Sequence, residues 1–126
     1  MTNSETVTAF VEAWNRTDWK AVSALLAEDV AYQNIPWDPV HGRDAVMANL
    51  ASFNVERSDW IVLNQIAGDD LVMNERVDRV RMNGVWKTLK VMGIFRLRDG
   101  LIREWRDYFD PAELDRAIPE PKPGKL

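Results

Sequence analysis

Three short polar patterns stand in otherwise apolar surroundings: Tyr32-Gln33-Asn34, Arg76-Val77-Asp78 and Trp105-Arg106-Asp107-Tyr108-Phe109-Asp110. In a strand, residues two apart share a face. The first pattern therefore aims Tyr32 and Asn34 together, the second aims Arg76 with Asp78, and the third adds the carboxylate of Asp107. A phenol, an amide, a guanidinium and two carboxylates are a set suited to moving protons through a positioned water.

Composition removes most other chemistries. The 126 residues contain no cysteine, which excludes thiolate nucleophiles, disulfides and Cys-based metal sites. His41 is the single histidine, so Ser-His and Cys-His triads and multi-His metal centres are excluded too. With 16 Lys+Arg against 20 Asp+Glu the net charge is -4, and the basic residues are scattered. That argues against a nucleic-acid partner, because no basic stripe exists to replace phosphate counterions. Nor does any apolar run approach membrane-spanning length, and Met1 to Glu5 lacks a signal-peptide shape. A cytoplasmic protein with no membrane partner is expected.

The elements that must position these side chains change character along the chain. Val7, Phe10, Val11 and Trp14 recur at helical spacing after a Thr/Asn/Ser cap. Asp18 can cap a second helix with the apolar stripe Trp19, Val22, Leu25 and Leu26. Val30 to Ile35 reads as a strand, and Arg43 to Phe53 as a third helix. From Asp59 onward the pattern is one of long strands, with turn signals at Gly68-Asp69-Asp70, Asn83-Gly84 and Asp99-Gly100. A last short helix can start at Asp110, with Pro111 at its first position. Helices followed by an antiparallel sheet predict a single α+β domain over residues 1–126, a curved sheet wrapped around the N-terminal helices. The Pro/Lys-rich tail 119–126 is expected to be loose.

Register decides which side chains meet. A two-residue type I′ loop at Asn83-Gly84 pairs Met82 with Val85, and therefore Asp78 with Leu89, Arg76 with Val91 and Asn74 with Gly93. The charged pair then shares a face with Leu89, Val91 and Phe95. For the next hairpin, a two-residue Asp99-Gly100 loop puts Asp107 on the face opposite Asp78. A three-residue loop, Arg98-Asp99-Gly100, instead pairs Leu97 with Leu101, sets Trp105 over Gly93 and lays Arg76, Val91 and Asp107 side by side. The three-residue loop is favoured here, since an indole needs the space a glycine leaves.

Each feature also has a plainer reading. An Arg-x-Asp pair on one strand is most often a surface ion pair contributing about 0–1 kcal/mol, and its apolar cross-strand neighbours are what raise the functional reading. Asp110 reads as a helix cap, with Glu113 as its capping-box partner. His41, in a loop after Pro39-Val40, reads as structural or exposed. Of the six tryptophans, Trp14 and Trp19 suit a helix-face core, while Trp37, Trp60, Trp86 and Trp105 suit core, pocket or interface alike.

Tyr32-Gln33-Asn34, Glu75-Arg76-Val77-Asp78 and Trp105 to Asp110, together with Gly42-Arg43-Asp44-Ala45-Val46 and Gly93-Ile94-Phe95, resemble the limonene-1,2-epoxide hydrolase family in this order along nearly the whole chain. Its wider superfamily holds the nuclear-transport-factor-2-like and polyketide-cyclase-like domains. The resemblance implies a cone-shaped α+β fold, a homodimer, and hydrolysis of a small hydrophobic epoxide by water without cofactor or metal. It also implies that Asp107 is the base and Asp78 the acid, with Arg76, Tyr32 and Asn34 completing the catalytic set. Val80, Leu89, Val91, Phe109, Trp37 and Met47 would form the apolar wall. The competing readings are a ketosteroid-isomerase-like isomerase or polyketide cyclase of the same fold, and a non-catalytic small-ligand-binding domain. An isomerase needs neither a Tyr-Asn water clamp nor a second carboxylate.

Overall fold

The computed structural model describes residues 1–123 and 125. Helix α1 (Asn3–Asn15) opens with a capping box: the Thr2 hydroxyl accepts from Glu5 N–H at 3.1 Å, and the Glu5 carboxylate accepts from Thr2 N–H at 2.9 Å. Its buried face carries Val7, Phe10, Val11 and Trp14, as their spacing predicts. Helix α2 (Trp19–Ala24) is capped by Asp18, whose side chain accepts from Ala21 N–H. It ends before Leu25 and Leu26, because the Leu25 carbonyl accepts from Ile102 N–H and Leu26 already begins strand β1 (Leu26–Ile35). Strand β2 (Val40–His41) and helix α3 (Arg43–Ala51) follow. Four long strands complete the sheet: β3 (Val55–Gly68), β4 (Leu71–Met82), β5 (Val85–Arg98) and β6 (Leu101–Tyr108).

The strands form one sheet in the order β2-β1-β6-β5-β4-β3, in which β1 runs parallel to β6 and the other pairs are antiparallel. The α+β architecture with a curved, unclosed sheet over the helices is the one the sequence predicts. The core lies between α1 and the concave sheet face. There Phe10 meets Phe95 and Trp105 edge-on, at ring separations of 6.1 and 5.1 Å.

At the first hairpin the register is as expected. Asn83 and Gly84 have φ of 51° and 77°, the two positive angles of a type I′ turn, and Arg76 pairs with Val91 and Asp78 with Leu89. At the second hairpin the expected three-residue loop is wrong. Asp99 and Gly100, with φ of 54° and 77°, form a two-residue turn that pairs Arg98 with Leu101. A bulge then restores the inward parity: Leu97 pairs with Ile102 but Arg96 pairs with Glu104, leaving Arg103 as the extra residue. Asp107 therefore does face inward, opposite Gly93 and not Val91. Trp105 lies opposite Phe95 rather than over Gly93.

After β6, Asp110 caps the 3-10 turn Pro111–Asp115 by accepting from Ala112 N–H at 3.0 Å. Glu113 does not close a capping box, because its carboxylate accepts from Lys90 N–H. In the tail, Arg79 donates to the carbonyls of Lys122 and Lys125, and Arg57 pairs with Glu120. The expectation of a loose tail lies outside the described residues at Gly124 and Leu126. Among the described residues, no helix is long and apolar enough to cross a membrane.

Candidate active site

The site is built on one row that crosses five strands. Asn34 on β1 pairs with Asp107 on β6, Asp107 with Gly93 on β5, Gly93 with Asn74 on β4, and Asn74 with Gln65 on β3. Arg76 and Asp78 follow on the same face of β4. Alternation thus brings residues as distant in sequence as Asn34 and Asp107 into one layer, with no loop residue required.

Arg76 is the hub, with only 1% of its surface exposed. Its Nε donates to Asp78 Oδ1 at 3.0 Å, and its Nη2 donates both to Asp78 Oδ2 at 2.9 Å and to Asp107 Oδ2 at 3.0 Å. Nη1 donates to Asn74 Oδ1 at 2.9 Å. The guanidinium also lies 4.6 Å from the centre of the Trp60 ring. The second Asp107 oxygen accepts from the Trp105 indole N–H at 3.0 Å. Removing one partner from a buried group of this kind strands a charge, at a cost of about 3–5 kcal/mol.

Burial pushes the Asp78 carboxyl up to about 6, the Arg76 charge opposing and the Asp107 charge adding to the rise. Burial works against the Arg76 charge, but Asp107 and Asp78 outweigh it and hold the guanidinium protonated. Burial also pushes the Tyr32 phenol well up, with Asp107 reinforcing it and a hydrogen bond to the Asn34 side chain opposing. Tyr32 therefore stays a donor, and Asp78 can carry a proton near neutral pH.

These groups face a cavity of about 460 Å³ lined by Tyr32, Asn34, Asp78 and Asp107 on its polar side. Arg76 sits behind them and ties the two aspartates together. Val80, Leu89, Val91, Phe109 and Trp37 line the wall, where the sequence places them. Met47 is not among the lining residues. It packs against the core, because α3 turns Asn49 toward the cavity instead. Sequence reasoning missed Asn49, Phe53, Val55 and Met82, and left Trp60 and Trp105 undecided; all six line the cavity. Trp14, assigned to the core, lines it as well and stacks on Trp60 at 4.7 Å. Trp86 lies outside it, bridging Ile118 beneath Arg57. His41 is exposed on β2.

Against known proteins, the limonene-1,2-epoxide hydrolase catalytic domain matches residues 1–119. The chain belongs to the limonene-1,2-epoxide hydrolase family. An epoxide hydrolase, EphG, of Mycobacterium tuberculosis (strain ATCC 25618 / H37Rv) is 27% identical over 113 residues, 89% of this chain and 76% of that protein. A solved structure of an M. tuberculosis epoxide hydrolase of this type superposes with a TM-score of 0.81 at 26% identity, covering 90% of this chain and 86% of the other. An NTF2-like protein of unknown function from Burkholderia pseudomallei K96243 superposes equally well, with a TM-score of 0.81 at 28% identity and coverage of 94% and 98%.

The raised Asp78 carboxyl has a stability consequence with a definite sign. Its folded value, about 6, lies above the ordinary 3.8. The proton is therefore bound more tightly in the native state, and the stability this contributes is complete below pH 3.8 and lost as pH rises through about 6. Chemical denaturation of the wild type and Asp78→Asn between pH 3.5 and 7 should show the wild type losing stability relative to the variant across that window. A constant difference would place the Asp78 proton elsewhere.

Proposed function

We propose that this protein is an epoxide hydrolase that adds water to a small hydrophobic epoxide in one step, giving a vicinal diol, with Asp107 as base and Asp78 as acid. One observation carries the reading: two carboxylates share a single buried arginine at the edge of an apolar cavity, and burial pushes Asp78 toward a protonated state near neutral pH.

The step balances with the side chains named. A water donates one hydrogen to Asp107 and the other to the Asn34 side-chain carbonyl while accepting from the Tyr32 hydroxyl, which leaves a lone pair for the oxirane carbon. As that C–O bond forms, Asp107 takes the water's proton, the strained C–O bond breaks and Asp78 protonates the departing oxygen. Turnover leaves Asp107 protonated and Asp78 ionised. The return path is short, because Nη2 of Arg76 bonds both carboxylates. No cofactor enters any step. The apolar walls suit a hydrocarbon substituent, since burying it there recovers roughly 25 cal/mol per Å².

Asp107→Asn and Asp78→Asn should each lower diol formation by ~10²–10⁴-fold with the fold retained. Arg76→Lys should be comparably severe, because an ammonium cannot span two carboxylates as a planar fork does. Tyr32→Phe should cost less than Asn34→Ala, since the phenol supplies one of three water contacts. Gas chromatography of racemic epoxide turnover measures all five, and a ketosteroid substrate run alongside tests the isomerase alternative. Ordinary turnover by either aspartate variant would remove the acid/base assignment.

The source of the diol's new oxygen separates direct water attack from attack by a carboxylate through an ester. In a single turnover in heavy-oxygen water, the diol should gain the label at once and the protein none. Label in an Asp107 peptide, with an unlabelled first diol, would overturn the direct-water step.

The dimer is a proposal as well, and the outer sheet face supports it. Ile66, Met73, Met92 and Tyr108 are exposed there on adjoining strands, among Glu75, Lys90 and Arg106 of both signs, a surface able to meet a second copy of itself. Light scattering should give a dimer for the wild type and a monomer for Met92→Lys/Tyr108→Lys. A monomeric wild type would exclude the dimer.

A further inference from the structure

The face of Arg76 turned away from the aspartates is held as firmly as the face turned toward them. Its Nη1 donates to Asn74 Oδ1 at 2.9 Å, and Asn74 has only 1% of its surface exposed. Because an arginine can only donate, that bond fixes the Asn74 amide with its oxygen toward Arg76 and its nitrogen away. Asn74 Nδ2 then donates to Gln65 Oε1 at 3.1 Å, which fixes Gln65 in turn. Gln65 Nε2 donates to Ser4 Oγ at 2.8 Å, to the Ser4 carbonyl at 3.1 Å and to Thr8 Oγ1 at 3.2 Å. The polarity runs one way, from the guanidinium to the first turns of α1.

Between Asn74 and Asp107 lies Gly93. A Cβ there would sit 2.3 Å from Arg76 Nη1 and 2.9 Å from both Asn74 Oδ1 and Asp107 Oδ1. The glycine is extended, with no positive φ to explain it. What it supplies is the volume through which Arg76 reaches Asn74. An asparagine suits position 74 because it accepts from Nη1 without adding a third anion to one cation.

We propose that Asn74, Gln65 and Gly93 are positioning residues for the proposed acid/base pair. Asn74, backed by Gln65, holds the guanidinium in the orientation from which Nη2 reaches both carboxylates, and Gly93 clears the space for it. The catalytic consequence rests on the epoxide-hydrolase reading, but the effect on Asp78 can be measured without a substrate. With Asn74→Leu, Nη1 loses its acceptor and the fork loosens on Asp78. Arg76 opposes the rise of the Asp78 carboxyl, so loosening it should raise the Asp78 titration above its wild-type value, read by carbon-detected NMR of labelled aspartate.

In turnover, Asn74→Leu and Gly93→Ala should lower kcat on the order of 10²-fold, the effect of misplacing a reacting group by about 1 Å, with KM within about 3-fold. Gln65 is only half-buried and keeps the test open if either of those variants fails to fold. Gln65→Glu retains the acceptor for Asn74 and should restore most of the kcat that Gln65→Leu loses. An unmoved Asp78 titration in folded Asn74→Leu, or equal kcat losses for Gln65→Glu and Gln65→Leu, would overturn the proposal. If the wild type hydrolyses no epoxide, the functional reading fails, and the Asp78 titration in Asn74→Leu still decides whether these residues position Arg76.

Discussion

Removing a guanidinium from water costs several kcal/mol even after the protein relaxes, and the cost is tolerated only when the ion is surrounded by well-placed acceptors. Around Arg76 those acceptors come from both sides of its own strand position and from a strand two places away. Asp78 takes Nε and Nη2, Asp107 takes Nη2, and Asn74 takes Nη1. Two carboxylates on one cation leave an excess negative charge in a dry layer, and the lowest-cost relief is a proton on one of them. The burial that strengthens these hydrogen bonds also keeps Asp78 near the point of protonation. Structural and chemical roles are thus two aspects of one charge balance.

The layer itself is assembled by strand alternation, which explains why so much of it was legible in the sequence. Arg76, Asp78, Val91 and Leu89 could be set against one another because Asn83-Gly84 admits one tight turn, and every residue beyond it follows by counting. Helix α1 is readable from its cap and apolar spacing, and α2 from its cap, although the apolar spacing of α2 runs on through Leu25 and Leu26 beyond the end of the helix at Ala24. The second hairpin is not readable in this way. Its Asp-Gly turn is the ordinary two-residue type, but the extra residue at Arg103 has no local signature, since a bulge is chosen by what the strand must aim at later. A three-residue loop gives Asp107 the same inward face through a turn the chain does not make, and it assigns to an indole the space beside Gly93 that Arg76 occupies.

Cavity residues were legible on the strands and poorly so elsewhere. Val80, Leu89 and Val91 follow from the same parity as Asp78. Asn49 and Met47, two residues apart on α3, lie about 200° apart around its axis, so which of them meets the cavity depends on how the helix docks and not on its apolar spacing. The tryptophans were ambiguous because the core and the cavity wall are continuous. Trp105 packs against Phe10 and Phe95 with its ring, and holds Asp107 with its N–H. No composition rule separates a ring that fills a core from one that also orients a carboxylate.

The extra residue at Arg103 bears on how such chains can change over time. Everything between it and the Asp99-Gly100 turn has one parity and everything beyond it the other. A strand one residue shorter in that stretch needs no bulge and keeps Asp107 opposite Gly93, whereas a strand of the same length paired without the bulge would turn Asp107 toward solvent and Tyr108 toward the cavity. Sequences aligned by hydrophobic pattern alone will slip by one here, pairing an acid that faces the cavity with one that does not. Within this fold, the length of the last hairpin is therefore a character to inspect before transferring a role to the aspartate that follows it.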